Sequence, residues 1–330
     1  MSSYQTLRWG ILGTGWIANS FVTDLKRLSD HSVVAVGSRS AESSAAFARK
    51  HGVLRAHASY EALVSDPEVD VVYVTTPHPW HYPNTMMALD AGKPVLVEKP
   101  FAMDARQAQG MVDTARRKGL LLVEAMWTRF LPHMVRIREL LAAGALGEVR
   151  GLIADHDQKI TTDPTHRLQD PALGGGALLD LGIYPVSFAW DVFGEPSSTY
   201  ALSSPTPTGV DQNTAIVFGY PQGGKAVLHT TLDARGPSTA VIIGTDARIE
   251  IEPVWYNAVS FDLIDPDGAV LEHFDGSVEG RGMQYQAAEI ERIIASGELA
   301  GTALPPEESV AIMGSMDEIR RQIGLRYPGE

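Results

Sequence analysis

The sequence predicts a chain in two parts. The first is α/β, a doubly wound parallel sheet; the second is α+β, an open and mostly antiparallel sheet. Three observations carry this. A strand-like run, 7–12, leads straight into Gly13-Thr14-Gly15-Trp16-Ile17-Ala18, a glycine turn opening a helical period. Short apolar runs then alternate with helical stretches as far as Val123. Beyond Ala143 the pattern changes to short β-rich runs separated by turn signals.

In order, the first part reads as a strand at 7–12, a helix from Trp16 to Leu28 and a strand Ser32–Gly37. A helix over 43–50, a strand over 70–76 and a helix from about Tyr82 to Ala91 follow. The strand Pro94–Glu98 ends at Lys99-Pro100, and a helix 104–118 and a strand 120–123 complete the alternation. Strand–helix alternation implies right-handed crossovers and a parallel sheet, the Rossmann arrangement. Gly13 permits the tight turn, Gly15 allows backbone to approach a pyrophosphate, and small Ala18 allows close helix packing. Ligands of such sheets sit at the carboxyl ends of strands, so Lys99 is expected in a crevice and not on a solvated loop.

The second strand's end bears on the cofactor. An acidic residue there would bind a ribose 2′-hydroxyl; the chain instead offers Ser38-Arg39-Ser40. A guanidinium flanked by hydroxyls suits a 2′-phosphate, so NADP(H) is expected to be preferred, with NAD(H) possible. Thr75, Pro77 and His81 follow the 70–76 strand and join the cofactor candidates, together with Gly13, Thr14, Gly15, Trp16 and Ile17.

Bulk properties exclude other classes. A chain of 330 residues, 44% apolar and 20% charged, is ample for two cores and is neither disordered nor a membrane protein by composition. Net charge −13 without a basic run argues against a nucleic-acid partner. Zero cysteines remove disulfides, thiolate zinc sites and cysteine nucleophiles. Met1–Leu12 lacks the pattern of a leader, no later run looks long enough to span a membrane, and a cytoplasmic location is expected. No metal is expected: in Asp155-His156-Asp157, strand alternation sends the histidine to the face opposite both carboxylates.

Four stretches together carry a resemblance over essentially the whole chain: the glycine turn, Thr76-Pro77-His78-Pro79-Trp80-His81, Glu98-Lys99-Pro100, and Gly174-Gly175-Gly176-Ala177-Leu178-Leu179-Asp180-Leu181-Gly182-Ile183-Tyr184-Pro185. They resemble the glucose–fructose oxidoreductase / inositol dehydrogenase / MocA family. Glu124–Phe130 and the Tyr184-Pro185 pair look most like its dimeric dihydrodiol dehydrogenases and NADP-dependent D-xylose dehydrogenases. The resemblance implies that Lys99 is catalytic, that the Lys99-Pro100 bond is cis, and that Asp180 and Tyr184 complete the polar site. Inositol dehydrogenases carry histidine where this chain has Tyr184, which favours a sugar or diol over an inositol. Asp180 and Tyr184 also share a face if 174–185 is helical, and a neighbouring ammonium would lower a phenol's pKa. Pro185 marks a kink or a restart in that helix.

Further cofactor candidates are Glu98, Trp127 and Arg129; substrate candidates are Trp127, Phe130, Asp157 and Tyr285, with Arg281 beside the last. A boundary is expected at 124/125. The turns at 221–224 and 265–268 predict antiparallel hairpins. Met283, Ala287, Ile290 and Ile294 are read as core, and the last helix, about 307–324, as packing back on the first domain. An apolar outer sheet face is expected to make a homodimer or a dimer of dimers. The function expected is hydride transfer between a nicotinamide and a hydroxyl or carbonyl carbon of an aldose, related sugar or cyclic trans-diol. The alternatives are a redox-assisted glycosidase and a non-catalytic NADP(H)-binding regulator.

Overall fold

A computed structural model describes residues 7–28 and 32–329. The first six residues, part of the stretch expected to lack a leader, lie outside the described residues. By its internal contacts the chain divides into two compact units, Met1–Phe130 with Glu279–Val310, and Leu131–Val278 with Ala311–Glu330.

The first unit is built on six parallel strands: β1 (Arg8–Leu12), β2 (Ser32–Gly37), β3 (Arg55–His57), β4 (Val71–Val74), β5 (Val95–Glu98) and β6 (Leu122–Ala125). Their order, β3-β2-β1-β4-β5-β6, is that of a doubly wound sheet, with its topological switch between β1 and β4. β4, β5 and β6 are buried along their whole length, as expected of strands covered on both faces. The crossovers are α1 (Trp16–Leu25), α2 (Ala41–His51), α3 (Tyr60–Val64), α4 (His81–Asp90) and α5 (Ala105–Lys118). Ser40, Ser59 and Asp104 cap α2, α3 and α5 by accepting backbone amides, and Gly52 and Gly119 end α2 and α5 in the left-handed conformation.

The second unit opens with α6 (Pro132–Ala142) and carries eight strands: β7 (Val149–Asp157), β8 (Ser198–Pro205), β9 (Asp211–Gly219), β10 (Lys225–Thr231), β11 (Ala240–Gly244), β12 (Arg248–Ile251), β13 (Phe261–Ile264) and β14 (Val270–Phe274). The order is β14-β13-β12-β11-β7-β10-β9-β8, and only β7 and β10 run parallel. The 221–224 and 265–268 turns join β9 to β10 and β13 to β14 as antiparallel hairpins, as their residues predict. α7 (Ile183–Phe193) lies on this sheet's inner face and is buried along its first two turns. Residues 171–193 are long and apolar enough to cross a membrane, contrary to the sequence reading, but they are mostly buried inside the protein, as in a core helix.

Residues 125–130 and 279–310, grouped with the second domain from sequence, cluster with the first unit. β6 continues to Ala125, and α8 (Gln284–Ser296) packs on the 3₁₀ turn Trp127–Phe130. The buried stripe of α8 is Ala287, Ile290 and Ile293, not Ile294. In α9 (Pro306–Ile323) only the start belongs to the first unit. From Ala311 on, the helix joins the second unit, where the Trp190 indole donates to Ser315 Oγ and Gln322 bonds Ala201 and Thr199 across the β8 edge.

Candidate active-site elements

In the first unit the carboxyl ends of the strands gather most of the expected cofactor residues on one edge: Gly13–Ile17 after β1, Ser38–Ser40 after β2, Thr75 after β4, Lys99 after β5 and Trp127 after β6. Gly13 has φ +116°, donates its amide to the Gly37 carbonyl at 3.0 Å, and a Cβ there would sit 2.5 Å from Thr75 Oγ1. No L-residue fits that turn. Thr75 is tied in turn to the Leu12 carbonyl through its amide and its hydroxyl. Gly15 has no atom within 4 Å of an ideal Cβ, so its open side admits a ligand. It precedes an α1 N-terminus with no side-chain cap and no acidic residue in its first turn. Such an end offers unspent amides and partial positive charge to phosphate. Ser38 is buried and accepts the Ser40 amide, while Arg39 is exposed with no ion pair among the described residues.

Around Lys99 the chain is braced from below. The Lys99-Pro100 bond is cis, as the resemblance implies. The Glu98 carboxylate is buried, takes a short hydrogen bond from the Tyr73 hydroxyl and accepts the Lys99 amide at 3.2 Å. His81, expected at the cofactor, is 1% exposed, with Nδ1 2.7 Å from the Pro100 carbonyl and Nε2 2.8 Å from the Thr76 carbonyl. Burial, with His78 and Lys99 adding like charge, drives its pKa down to about 3. The neutral ring can donate to one of those carbonyls at a time. His81 is therefore a strut between the 76 loop and the Pro100 turn, holding Lys99's backbone in place.

Arg129, also expected at the cofactor, has partners within the first unit. It is 3% exposed, donates to Glu308 at 2.6 Å and to the Ala303 carbonyl at 3.1 Å, and so ties β6's exit to the start of α9. Phe130 is buried and Tyr285 lies in the first turn of α8.

In the second unit, a π-helical turn, Leu178–Gly182, runs directly into α7. Asp180 and Tyr184 stand on this composite helix, both largely buried, and Arg167 reaches the Asp180 carboxylate at 3.2 Å. The irregularity expected at Pro185 falls earlier, as the π turn, and such turns concentrate at functional sites. Two neighbours of Tyr184 had no signal of their own in the sequence. The His156 ring meets the Tyr184 ring edge-on at 4.9 Å and stacks on Tyr256 at 3.8 Å. Gln158 bridges His156 Nε2 and the Tyr256 hydroxyl. Strand alternation places His156 on the face opposite Asp155 and Asp157; what it meets there, Tyr256, is remote in sequence. Asp157 points to the other face and pairs with His229 at 2.9 Å, so this substrate candidate is separated by the sheet from Tyr184.

Asp211 was also missed. Its buried carboxylate accepts the Leu178 amide at 2.7 Å and the Thr214 hydroxyl at 2.9 Å, capping the π turn. Gly176, at φ +111°, is the residue that makes room, since a Cβ there would land on Asp211 Oδ1.

Comparison with known proteins decides the family. Residues 7–126 match an oxidoreductase family described by its NAD-binding Rossmann fold, and residues 134–250 match the GFO/IDH/MocA C-terminal domain. The chain belongs to the GFO/IDH/MocA oxidoreductase family. It is 37% identical to a D-xylose 1-dehydrogenase (NADP+) of Hypocrea jecorina, covering 98% of this chain and 93% of that one. It is equally identical to a trans-1,2-dihydrobenzene-1,2-diol dehydrogenase of Danio rerio, covering 98% of each. Among solved structures, an aldose–aldose oxidoreductase of Caulobacter crescentus complexed with glycerol superposes with a TM-score of 0.87 at 25% identity, over 96% of this chain and 97% of that one. The chain is thus an NAD(P)-dependent oxidoreductase. The glycine turn, the uncapped α1 end and the open side of Gly15 fit the dinucleotide that the family binds.

Proposed function

We propose that the chain is an NADP(H)-dependent dehydrogenase or reductase acting on a CH–OH carbon of an aldose, a related sugar or a cyclic trans-diol. The observation that carries this reading is the single carboxyl edge bearing Gly13, Arg39, Thr75 and Lys99, an edge that combines a phosphate-binding turn, a cation and an amine. The 37% identity to NADP-dependent xylose and to dihydrodiol dehydrogenases supports the substrate class. Bound nicotinamide supplies the hydride acceptor or donor. In oxidation Tyr184 takes the substrate hydroxyl proton, with Lys99 and Asp180 as the charged groups that set its pKa; in reduction Tyr184 returns that proton. The buried π turn fixes the Asp180 and Tyr184 backbone, and His81 and Glu98 fix that of Lys99.

Aldoses, inositols and trans-dihydrodiols, each offered with NADP+ and NAD+ and followed by nicotinamide absorbance, test the reading. Turnover of an aldose or trans-diol with NADP+ is expected; turnover of inositols alone would refute the substrate class. Arg39→Ala is expected to raise the Kd for NADP+ about tenfold to a hundredfold, the worth of charge-assisted phosphate contacts, while NAD+ affinity holds. Equal losses for both cofactors would remove Arg39 from the 2′-phosphate.

We also propose a homodimer, or a dimer of dimers, built on the outer face of the second sheet. Val241, Ile153, Val227, Val217 and Tyr200 stand side by side across β11, β7, β10, β9 and β8, with Leu202 beside them at 81% exposure. A contiguous apolar row on an open sheet marks a self-association surface. Ile153→Asp is expected to shift the light-scattering mass to that of a monomer; an unchanged dimer mass would place the interface elsewhere.

A further inference from the structure

We propose that Arg281 is a phosphate clamp for the cofactor, binding the pyrophosphate that the first-turn amides of α1 receive. This rests on the dinucleotide reading of the glycine turn and goes beyond it, since no glycine motif predicts a cation from residue 281. Three observations within the first unit carry it.

The guanidinium lies between two indoles, 5.0 Å from the Trp16 ring centroid and 5.3 Å from that of Trp127. Trp16 is the first residue of α1, directly after Gly15, and is 66% exposed; Trp127 is buried after β6. Stacking on indole faces holds a guanidinium in place while leaving its N–H edge to bind. The charge is therefore stationed next to the amides that accept phosphate.

The backbone that presents Arg281 is built for that placement. Gly280 (φ +81°) and Gly282 (φ +88°) flank it in the left-handed region. The amides of Arg281 and Met283 both donate to Asp24 Oδ2, at 3.0 and 3.1 Å. A Cβ on Gly280 would land on Asp24 Oδ1, so glycine is required for the turn to dock there. Asp24 belongs to α1, so the turn is fastened to the same helix whose N-terminus carries Trp16.

The charge is also unspent. Arg281 has no carboxylate partner among the described residues. Of the acidic groups at this turn, Asp24 accepts the turn's own amides and Glu279 pairs with Arg27. No acidic residue stands in the first turn of α1. An exposed arginine normally finds a surface carboxylate or solvent; this one lies over two indoles, one of them the first residue of the uncapped α1, and has no counter-charge among the described residues. A phosphate oxygen is the ligand that completes it, and the planar fork suits two oxygens at once.

The test separates the pyrophosphate from the 2′-phosphate by measuring dissociation constants of NADP+, NAD+ and adenosine 2′-monophosphate, which lacks the pyrophosphate. Arg281→Ala is expected to weaken NADP+ and NAD+ alike, about tenfold to a hundredfold, and to leave adenosine 2′-monophosphate unchanged. Arg281→Lys, which keeps charge without the fork, should recover part of the loss. The weakening should shrink as salt is raised from about 0.01 to about 1 M, where charges are screened within a few ångströms. Arg39→Ala provides the opposite signature, sparing NAD+. Wild-type NADP+ affinity in Arg281→Ala would overturn the clamp, and so would a parallel loss of adenosine 2′-monophosphate, the mark of a disturbed fold. Absence of dinucleotide binding by the unaltered chain would be a separate result, overturning the dinucleotide reading and the clamp with it.

Discussion

Tyr184→Phe is expected to lower kcat by about 10²–10⁴-fold, the usual worth of a positioned acid–base group, while NADP+ affinity stays unchanged. The substitution removes one hydroxyl and keeps the ring. That ring sits 4.9 Å from His156 and 5.5 Å from Tyr256, so packing is retained and the loss reports on proton transfer. A phenol with an ordinary pKa of roughly 10 is a poor base near neutrality, which is why the proposed mechanism gives it the Lys99 ammonium. Lys99→Ala should therefore cost a comparable factor. The double variant should fall little below the worse single one, because groups that act as a unit are not additive. Lys99→Arg sorts the roles: arginine keeps the charge but cannot release a proton near pH 7. Partial activity in Lys99→Arg assigns the proton to Tyr184; none at all, with Tyr184→Phe still active, would assign it to Lys99 and end the phenol mechanism.

Much of the first unit was legible because its physics is local. A buried parallel strand must be a short continuous apolar run, and Val71–Val74 and Val95–Glu98 are just that. The glycine turn is dictated by a positive φ and a crowded Thr75, both of which leave a mark in residue type. What lacked such a mark was missed. β3 is only Arg55–His57, with no apolar member facing a core, and α3 spans five residues, too short for a helical period to show. In the second unit, alternation revealed the strands, but nothing in Lys225–Thr231 says that it pairs in parallel with Val149–Asp157. That pairing comes from chain crossing and not from side-chain pattern.

The site was legible where the chemistry is carried by one residue and illegible where it is carried by company. Lys99 is announced by a strand end and a proline. Arg129 is read as a cofactor candidate, and its tie to Glu308, 179 residues on, has no mark in the local sequence. His81 is read as a cofactor candidate after a Pro- and His-rich loop, and in the structure its ring lies between two backbone carbonyls. Arg281 is read from sequence only as a site candidate beside Tyr285, and nothing local says that its turn is fastened to Asp24, 257 residues before it.

Asp211→Ala is expected to destabilise the second unit by about 3 kcal/mol, through two donors left unsatisfied in the interior. These are the Leu178 amide and the Thr214 hydroxyl, which Asp211 Oδ2 accepts together. Because Leu178 begins the π turn bearing Asp180, kcat should fall with stability even though Asp211 has no proton-transfer role. Asp211→Asn keeps an acceptor for both donors and separates capping from charge. Burial raises the Asp211 pKa from its ordinary 3.8 to about 6, only partly offset by Thr214 and the Leu178 amide. A carboxyl whose folded pKa is raised contributes stability that is fully present below 3.8 and lost as pH rises through about 6. Full ionisation therefore costs the wild type on the order of 3 kcal/mol at neutral pH, a cost that the asparagine avoids. Between pH 4 and pH 7 chemical unfolding of the two proteins should show the asparagine variant gaining on the wild type, with Asp211→Ala below both throughout. A gap between asparagine and aspartate that does not move with pH would mean that Asp211 is ionised at no cost, and that it caps the turn through water-like solvation and not through a buried, shared oxygen.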